Sequence, residues 1–576
     1  MHDFDWFSAF RKSPEYYFMK DHPIVYFCAE FALDDSIPTY AGGLGILAGD
    51  IIREASEQEI PLVTVGLYYR EGYVHHDLYP DGILIKSSAV LPESNPRLKP
   101  VVDDHNNRVI ITVPIQETLV YVQAWSYMIE TVRVFLLDTD LPQNGEEDRH
   151  ITDQLYTSSH DTRFKQEIIL GLGGLRLLEA LEIDPIGFHL NEGHSALLAL
   201  EIARLEMRKH SQTFAQELEN TRQHIFFTNH TLTPAGNDTY TADLALTLLA
   251  GFAKEIQVPA SEIVQMGLLA QSSIFSMTLL ALRMAGKINA VSKLHAEIAG
   301  KIWKSYPMVP ITNGIHIKTW DGVGIKDRIW EKHRENKRLL LEYIRSKTGV
   351  SWDENTLLLG WGRRMVGYKR PLALFDTIDQ FKQLATSSDK PINVVISGVV
   401  HESDAEGLDI LKRIQKIVND DLKGTVVYLP KYTMSLSKLM VAGCDVWLNT
   451  PVVGFEACGT SGMKAALNGV LPASTADGWV AEANLFEVGW LLKNDNLSED
   501  ILSVLKNNIL PTYYDRDSDG VSPQWVKMMK NARDMTVNQF DTATMLRKYI
   551  EEFYLSTIQH HQEKETRTFG IINAHG

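Results

Sequence analysis

Cysteine is scarce. The 576 residues hold three, Cys28, Cys444 and Cys458, with no Cys-x-x-Cys pair. That excludes a disulfide framework, argues against a thiolate metal cluster and fits a reducing cytoplasm. Long apolar runs are missing too. The longest, at 244–253 and 275–282, fall short of the roughly 20 residues a membrane-spanning helix needs, so no membrane partner is expected. Positive charge is in deficit, with 56 Lys and Arg against 73 Asp and Glu and a net charge of −17. This argues against a nucleic-acid partner or an anionic membrane surface and leaves room for a local basic pocket. The start, Met1-His2-Asp3-Phe4-Asp5, lacks the basic-then-apolar layout of a secretion signal, so a cytoplasmic location is expected. Internal repeats, low-complexity tracts and long flexible linkers are absent as well.

What is present is an alternation of strand-like and helix-like segments. Short apolar runs at 24–27, 62–69, 186–190 and 224–228 read as buried strands, and 166–181 has helical spacing. Strand-like runs recur at 357–361, 392–397, 425–429 and 446–448, each followed by polar or helical sequence. This is the pattern of parallel βαβ units, and its character changes near 313–320. The expected architecture is α/β, two Rossmann-like domains facing a central cleft, with ligands at the C-terminal ends of the strands. The expected domains are 1–318 and 319–530, closed by a helical segment, 531–576, that packs back across them.

Several motifs fail on inspection. Gly459-Thr460-Ser461-Gly462-Met463-Lys464 is no P-loop, because Met463 separates Gly from Lys. Gly193-His194-Ser195-Ala196-Leu197 lacks the closing Gly of a nucleophile elbow. His189, Glu192 and His194 have metal-type side chains at a spacing that matches no zinc helix, so no metal is expected. Gly171, Gly173 and Gly174 sit within a helical pattern and read as close packing rather than a dinucleotide loop.

Three constellations remain. Ala41-Gly42-Gly43-Leu44-Gly45 follows a strand and precedes a helical stretch, so it reads either as an anion-binding backbone or as a plain tight turn. Arg363, Arg364, Lys369 and Arg370 place four cations within eight residues just past a strand, which suits a phosphate or a solvated basic turn. Glu456-Ala457-Cys458-Gly459-Thr460-Ser461-Gly462-Met463-Lys464 is a Gly- and hydroxyl-rich turn opening a helix that carries a lysine. In apolar surroundings such a lysine has a depressed pKa and can attack an electrophile.

At these residues the chain resembles the α-glucan phosphorylases (glycogen, starch or maltodextrin) of short bacterial or archaeal type. The matching segments run in order from about residue 24 to 482. They include Ala29-Glu30-Phe31, 40–50, 66–70, 163–167, 189–194, 228–231 and Pro234-Ala235-Gly236-Asn237-Asp238. Then come Ala290-Val291-Ser292, 312–316, 363–370, 456–464 and Asp477-Gly478-Trp479. The resemblance implies a GT-B fold and pyridoxal 5'-phosphate carried on Lys464. It implies retaining phosphorolysis of an α-1,4-glucan by inorganic phosphate to α-D-glucose 1-phosphate. Arg364, Lys369 and the Gly43 backbone would hold the substrate phosphate. Gly42, Arg363, Lys369, Thr460 and Ser461 would face the cofactor. His230, Asn313, Leu44, Glu456, Cys458 and Gly459 would line the glucose pocket, with Lys464, Arg364, Lys369 and His230 as the catalytic set. Glu30 and Glu192 would be supporting carboxylates and Arg370 structural. A homodimer is the family's habit.

The chain departs from the family pattern at Cys458, where Ser is usual, and at Arg363, where Lys is common. Lys431-Tyr432-Thr433 and Val452-Val453-Gly454-Phe455 also differ, which leaves the acceptor side least defined. The first motif lies near residue 24, so control through a long N-terminal extension is not expected. Two other readings stay open: a nucleotide-sugar GT-B glycosyltransferase without the cofactor, and an inactive glucan-binding relative.

Overall fold

The computed structural model describes residues 3–563 except 74, 80–81, 87–88, 211, 233–236 and 402–403. Pro234, Ala235 and Gly236 of the matched 234–238 segment, and residues 564–576 of the expected last segment, lie outside the described residues.

Two sheets organise the chain. The first contains β1 (Ile24–Cys28), β2 (Leu62–Leu67), β3 (Lys99–Pro100), β4 (Ile110–Ile115), β5 (Thr118–Ile129), β6 (Val132–Asp138), β7 (Gly187–Asn191), β8 (Ile225–Asn229), β9 (Lys287–Ala290) and β10 (Val309–Pro310). Its parallel part runs β10-β9-β8-β7-β1-β2-β6, and β5 with β3 and β4 adds an antiparallel edge. The second contains β11 (Leu357–Gly362), β12 (Ile392–Ser397), β13 (Val426–Leu429), β14 (Val446–Asn449), β15 (Leu471–Thr475) and β16 (Trp490–Leu492), all parallel in the order β13-β12-β11-β14-β15-β16. Both have the Rossmann winding, and in each the direction of winding reverses beside the first strand, between β1 and β7 and between β11 and β14. Such switch points open a crevice at the strands' C-terminal ends.

Central strands are continuous apolar runs because both faces are covered. In β1, Val25 and Phe27 enter one hydrophobic core while Ile24, Tyr26 and Cys28 enter another, the period-two alternation of a strand. The helical run near 166–181 is one rod, from His160–Ile168 through a wider π-type turn at Ile169–Gly173 to Gly174–Ala180. A Cβ on Gly174 would lie 2.4 Å from the Phe27 ring of β1, one on Gly171 2.9 Å from the Leu198 nitrogen and one on Gly173 3.2 Å from Val113 of β4, so the glycines of the rod serve close packing on three sides. Among the described residues no helix is long and apolar enough to cross a membrane.

The C-terminal helices divide their contacts. Pro523–Gln539 runs across residue 530, and its Trp525, Met529 and Ala532 sit in the core of the second sheet. Thr542–Tyr549 and the turn after it place Met545, Tyr549 and Tyr554 in the core with Ile24 and Tyr26 of β1. The return crossing lies beside the outward one. Ile315 N–H donates to Phe540 C=O at 2.9 Å, and Thr542 N–H to Ile315 C=O at 3.0 Å. A Cβ at Gly314 would come within 2.1 Å of the Asp541 carbonyl, so only glycine lets the two strands of chain pass this closely.

Candidate active site

The switch points of the two sheets face one another, and most of the expected site residues lie on loops leaving them. After β1 the chain reaches Glu30, buried at 1% exposure. Its Oε2 accepts the N–H groups of Ala41 (2.7 Å) and Gly42 (3.1 Å), and its Oε1 accepts the Tyr156 hydroxyl (2.8 Å). This carboxylate sets the Gly-rich turn before helix α1 (Gly43–Glu57), whose N-cap, Gly42, supplies no side-chain acceptor. The first N–H groups of α1 therefore stay available to an anion. A Cβ on Gly43 would meet nothing within 4 Å, whereas one on Gly42 would lie 3.7 Å from the Arg364 guanidinium. Leu44 is partly buried on α1, against the core that holds the C-terminal helices.

After β7 the backbone at Glu192 has φ 70° and ψ 175°. That region is nearly reserved for glycine, and such strain, about 1–3 kcal/mol, clusters at functional sites. The Glu192 carboxyl accepts the N–H groups of His230 (2.8 Å) and Gly193 (3.3 Å), and burial raises its pKa to about 7. Burial together with His295, His189 and His194 holds His230 down to about 3, so its ring is neutral. Its Nε2 pairs with the Asn191 side-chain Oδ1, which leaves Nδ1 as an acceptor for a hydroxyl. Asn313, 5% exposed, has a buried amide oxygen without a hydrogen-bond partner among the described residues.

The second sheet supplies the charges. Arg363 follows β11 and donates to Glu456 Oε2 (3.2 Å) and Ser461 Oγ (3.1 Å). Lys369 Nζ donates to the same Glu456 oxygen at 2.7 Å. Burial would raise the Glu456 carboxyl, but Lys369 and Arg363 outweigh it and hold its pKa below the ordinary value. Arg364 projects into the cleft and, among the described residues, forms no salt bridge. Arg370, in the left-handed region at φ 46°, spends its guanidinium on the carbonyls of Thr450, Pro451 and Asn494 and on the Asn494 side chain.

Glu456 and Cys458 lead into helix α2 (Ser461–Leu467). Gly459 has φ +82°, a turn that costs a side-chain-bearing residue. The Cys458 carbonyl accepts Trp479 N–H at 3.0 Å, and burial pushes the thiol pKa well up. Thr460 stands at the N-cap position of α2 without a side-chain cap bond, and Lys464 lies within its first turns, 4% exposed. The Lys464 Nζ sits 4.0 Å from the centre of the Trp320 ring. Burial brings its pKa down to about 8, with Asp50 opposing and Arg53 adding. Trp320 is itself fixed by Asp50, whose two carboxylate oxygens each lie 2.9 Å from the indole N–H.

Sequence reasoning passed over Trp320, which lies four residues beyond a matched segment, and Asp50, quoted only as the end of one. Asp477 was quoted within a matched segment but given no role; its Oδ2 accepts the N–H groups of Phe455 (3.2 Å) and Glu456 (2.9 Å). His189 is no ligand: its nitrogens bond Tyr554 and Thr228, both at 2.6 Å. Glu167, His194 and Asp238 do bring metal-type atoms within 4.8 Å of one another. Arg163, 2.6 Å from Asp238, already supplies the positive charge there.

The set of groups is a buried amine of lowered pKa, a cluster of cations beside an unsatisfied helix start, and neutral hydroxyl-binding side chains. Residues 317–489 match the family described as carbohydrate phosphorylase. The chain is 34% identical to the maltodextrin phosphorylase of Thermococcus litoralis over 93% of its length and 70% of that protein's. It is 32% identical to the glycogen phosphorylase of Aquifex aeolicus, covering 92% of this chain and 86% of the relative. An uncharacterized protein of Methanocaldococcus jannaschii is 31% identical over 92% of this chain and 99% of its own. With identity of this level along nearly the whole chain, the protein belongs to the carbohydrate phosphorylase family, a family of glycosyltransferases.

Proposed function

We propose that the chain is a pyridoxal phosphate-dependent α-1,4-glucan phosphorylase. It would release the non-reducing terminal glucosyl unit as α-D-glucose 1-phosphate with retention. The observation that carries this reading is the buried Lys464 amine, brought to a pKa of about 8, at the same switch point as Arg363, Arg364 and Lys369. Relatives named maltodextrin and glycogen phosphorylase support it.

Lys464 suits an aldehyde cofactor, because its amine is buried and makes no hydrogen bond among the described residues, and a larger share of it is neutral near pH 8. Bound there, pyridoxal phosphate would supply a phosphate group that exchanges a proton with the substrate phosphate. The chain's own task is to hold two phosphates together. At an effective dielectric of about 20, each pair of unit charges some 4 Å apart repels by about 4 kcal/mol. Arg364 grips the substrate phosphate, aided by the Gly43 N–H and the start of α1. Lys369 would lie between the two anions, and Arg363 with Ser461 and Thr460 would face the cofactor. The substrate phosphate protonates the glycosidic oxygen and attacks C1 on the same face, so no protein nucleophile is required. His230, Asn313, Glu456 and the Cys458–Gly459 backbone orient the sugar.

Two measurements test this. The purified protein should show a near-ultraviolet band from bound cofactor that borohydride fixes to the peptide carrying Lys464. It should also release glucose 1-phosphate from maltodextrin only when phosphate is present. Turnover of a nucleotide sugar with no such band would replace the reading with the glycosyltransferase one.

A further inference from the structure

Two guanidinium groups, one from each domain, lie over the Tyr156 ring. The Arg163 carbon is 5.0 Å from the ring centre and the Arg364 carbon 5.9 Å, both within the reach of a cation–π contact. Arg163 is immobilised by Asp238 at 2.6 Å, and Asp238 also meets His194 Nε2 at 3.2 Å. The Tyr156 hydroxyl donates to Glu30 at 2.8 Å, and Glu30 holds the N–H groups of Ala41 and Gly42. The Tyr156 carbonyl accepts His401 Nε2 from the second domain at 2.7 Å. The backbone is held at φ 55°, a conformation uncommon for a bulky side chain. Behind the ring is a cavity of about 20 Å³, lined by Arg163, Glu167, His194 and Tyr69. The ring also packs on the core of the first sheet and meets the Tyr73 and His194 rings at 6.4 and 6.1 Å between centres, so packing and polar contacts together hold it.

We infer that Tyr156 is a positioning residue for the attacking phosphate: its ring orients Arg364, and its hydroxyl, through Glu30, orients the Gly42–Gly43 backbone. The inference rests on the reading of Arg364 as the phosphate-binding group. Free in the cleft, a long arginine samples many rotamers, and each bond it makes must offset that entropy. An aromatic face held by Arg163 and Glu30 restricts Arg364 before phosphate arrives. One side chain thereby couples the phosphate contacts of the two domains.

The test is the KM for phosphate and for maltodextrin in the holoenzyme. Tyr156→Leu should raise the phosphate KM about fivefold, the worth of an exposed-site cation–π contact, and leave the maltodextrin KM within about twofold. In an Arg364→Ala background the same change should alter the phosphate KM by less than about twofold, since coupled residues are non-additive. Tyr156→Phe keeps the ring and its packing and loses only the bond to Glu30. It should hold the phosphate KM within about twofold and lower kcat through the Gly-rich turn. Equal rises in both KM values, additive effects in the double variant, or a Phe variant with raised phosphate KM and unchanged kcat would each overturn the inference. Arg364→Ala with an unchanged phosphate KM would instead overturn the reading of Arg364 beneath it.

Discussion

The Lys464 Nζ lies 4.0 Å from the centre of the Trp320 ring. The ring face stabilises the ammonium form, yet burial wins and the pKa falls to about 8 from an ordinary 10.5. Trp320 cannot swing away, because Asp50 holds its indole N–H. The amine is therefore confined to one position at a cost in charge solvation that folding must carry.

That cost has a pH signature. The folded pKa is below the unfolded one, so between about pH 8 and 10.5 the unfolded chain binds a proton the folded chain does not. Stability rises with pH across this window, and the deficit is complete below pH 8. In cofactor-free protein, Lys464→Met should raise the unfolding free energy at pH 7, and with it the denaturation midpoint, by on the order of 3 kcal/mol in free energy. The gain should fade toward pH 10. A lower midpoint for the variant at pH 7 would show that the ammonium is well solvated.

Arg364→Ala removes an exposed cation at the switch point that forms no salt bridge among the described residues. The neighbouring cations Arg363 and Lys369 are tied to Glu456 and cannot replace it without releasing that carboxylate. The phosphorolysis rate should fall on the order of 10²–10³-fold, the usual loss for one transition-state donor. Unchanged kcat and phosphate KM would remove Arg364 from the phosphate site.

Much of the fold was legible, for a physical reason. Strands β1, β7, β8, β11 and β12 are covered on both faces, so each is an apolar run that stands out from its polar flanks. The antiparallel strand β5, between β6 and the edge strands β3 and β4, escaped the reading, since its exposed Thr118, Leu119 and Met128 and buried Gln123 blur the contrast. So did β6, interrupted by the exposed Arg133. The Gly-rich turn, the basic cluster and the helix start at Thr460 and Ser461 are local and visible as motifs. The Asp50–Trp320 pair spans 270 positions and the Tyr156–His401 contact 245. Nothing local marks either one, because each exists only once the two domains meet.

Cys458, proposed to line the glucose pocket, should not take part in the chemistry. Its thiol is buried and its pKa is pushed well above the ordinary thiol value, first by burial and then by Glu482, so almost no thiolate forms near neutrality. The contact that shapes the turn is its carbonyl, which accepts Trp479 N–H and is unaffected by side-chain exchange. Cys458→Ser should keep kcat and change the maltodextrin KM by about threefold at most. A loss of about a thousandfold in kcat would place the sulfur in the reaction.

Lys369 and Glu456 should set the alkaline limb of the phosphate dependence. Burial lowers the Lys369 pKa to about 8, with Glu456 opposing the shift and Arg363 adding to it. Below that value the ammonium is charged and binds phosphate; above it the charge is lost. The pH profile of kcat/KM for phosphate reports groups of the free holoenzyme, where a cofactor phosphate beside Lys369 would favour its ammonium form further, so the fall should lie at a pH above about 8. Glu456→Gln removes the carboxylate that keeps the proton on Lys369, 2.7 Å away, and the limb should move to lower pH by about one unit. Lys369→Arg stays charged throughout and should abolish the limb. Phosphate's own titration is common to all three enzymes and cancels in the comparison. Glu456→Gln will also turn over more slowly, because Glu456 is proposed to bind the sugar, but the position of the limb is independent of its height. A limb that stays in place or moves to higher pH in Glu456→Gln would assign it to a group other than Lys369.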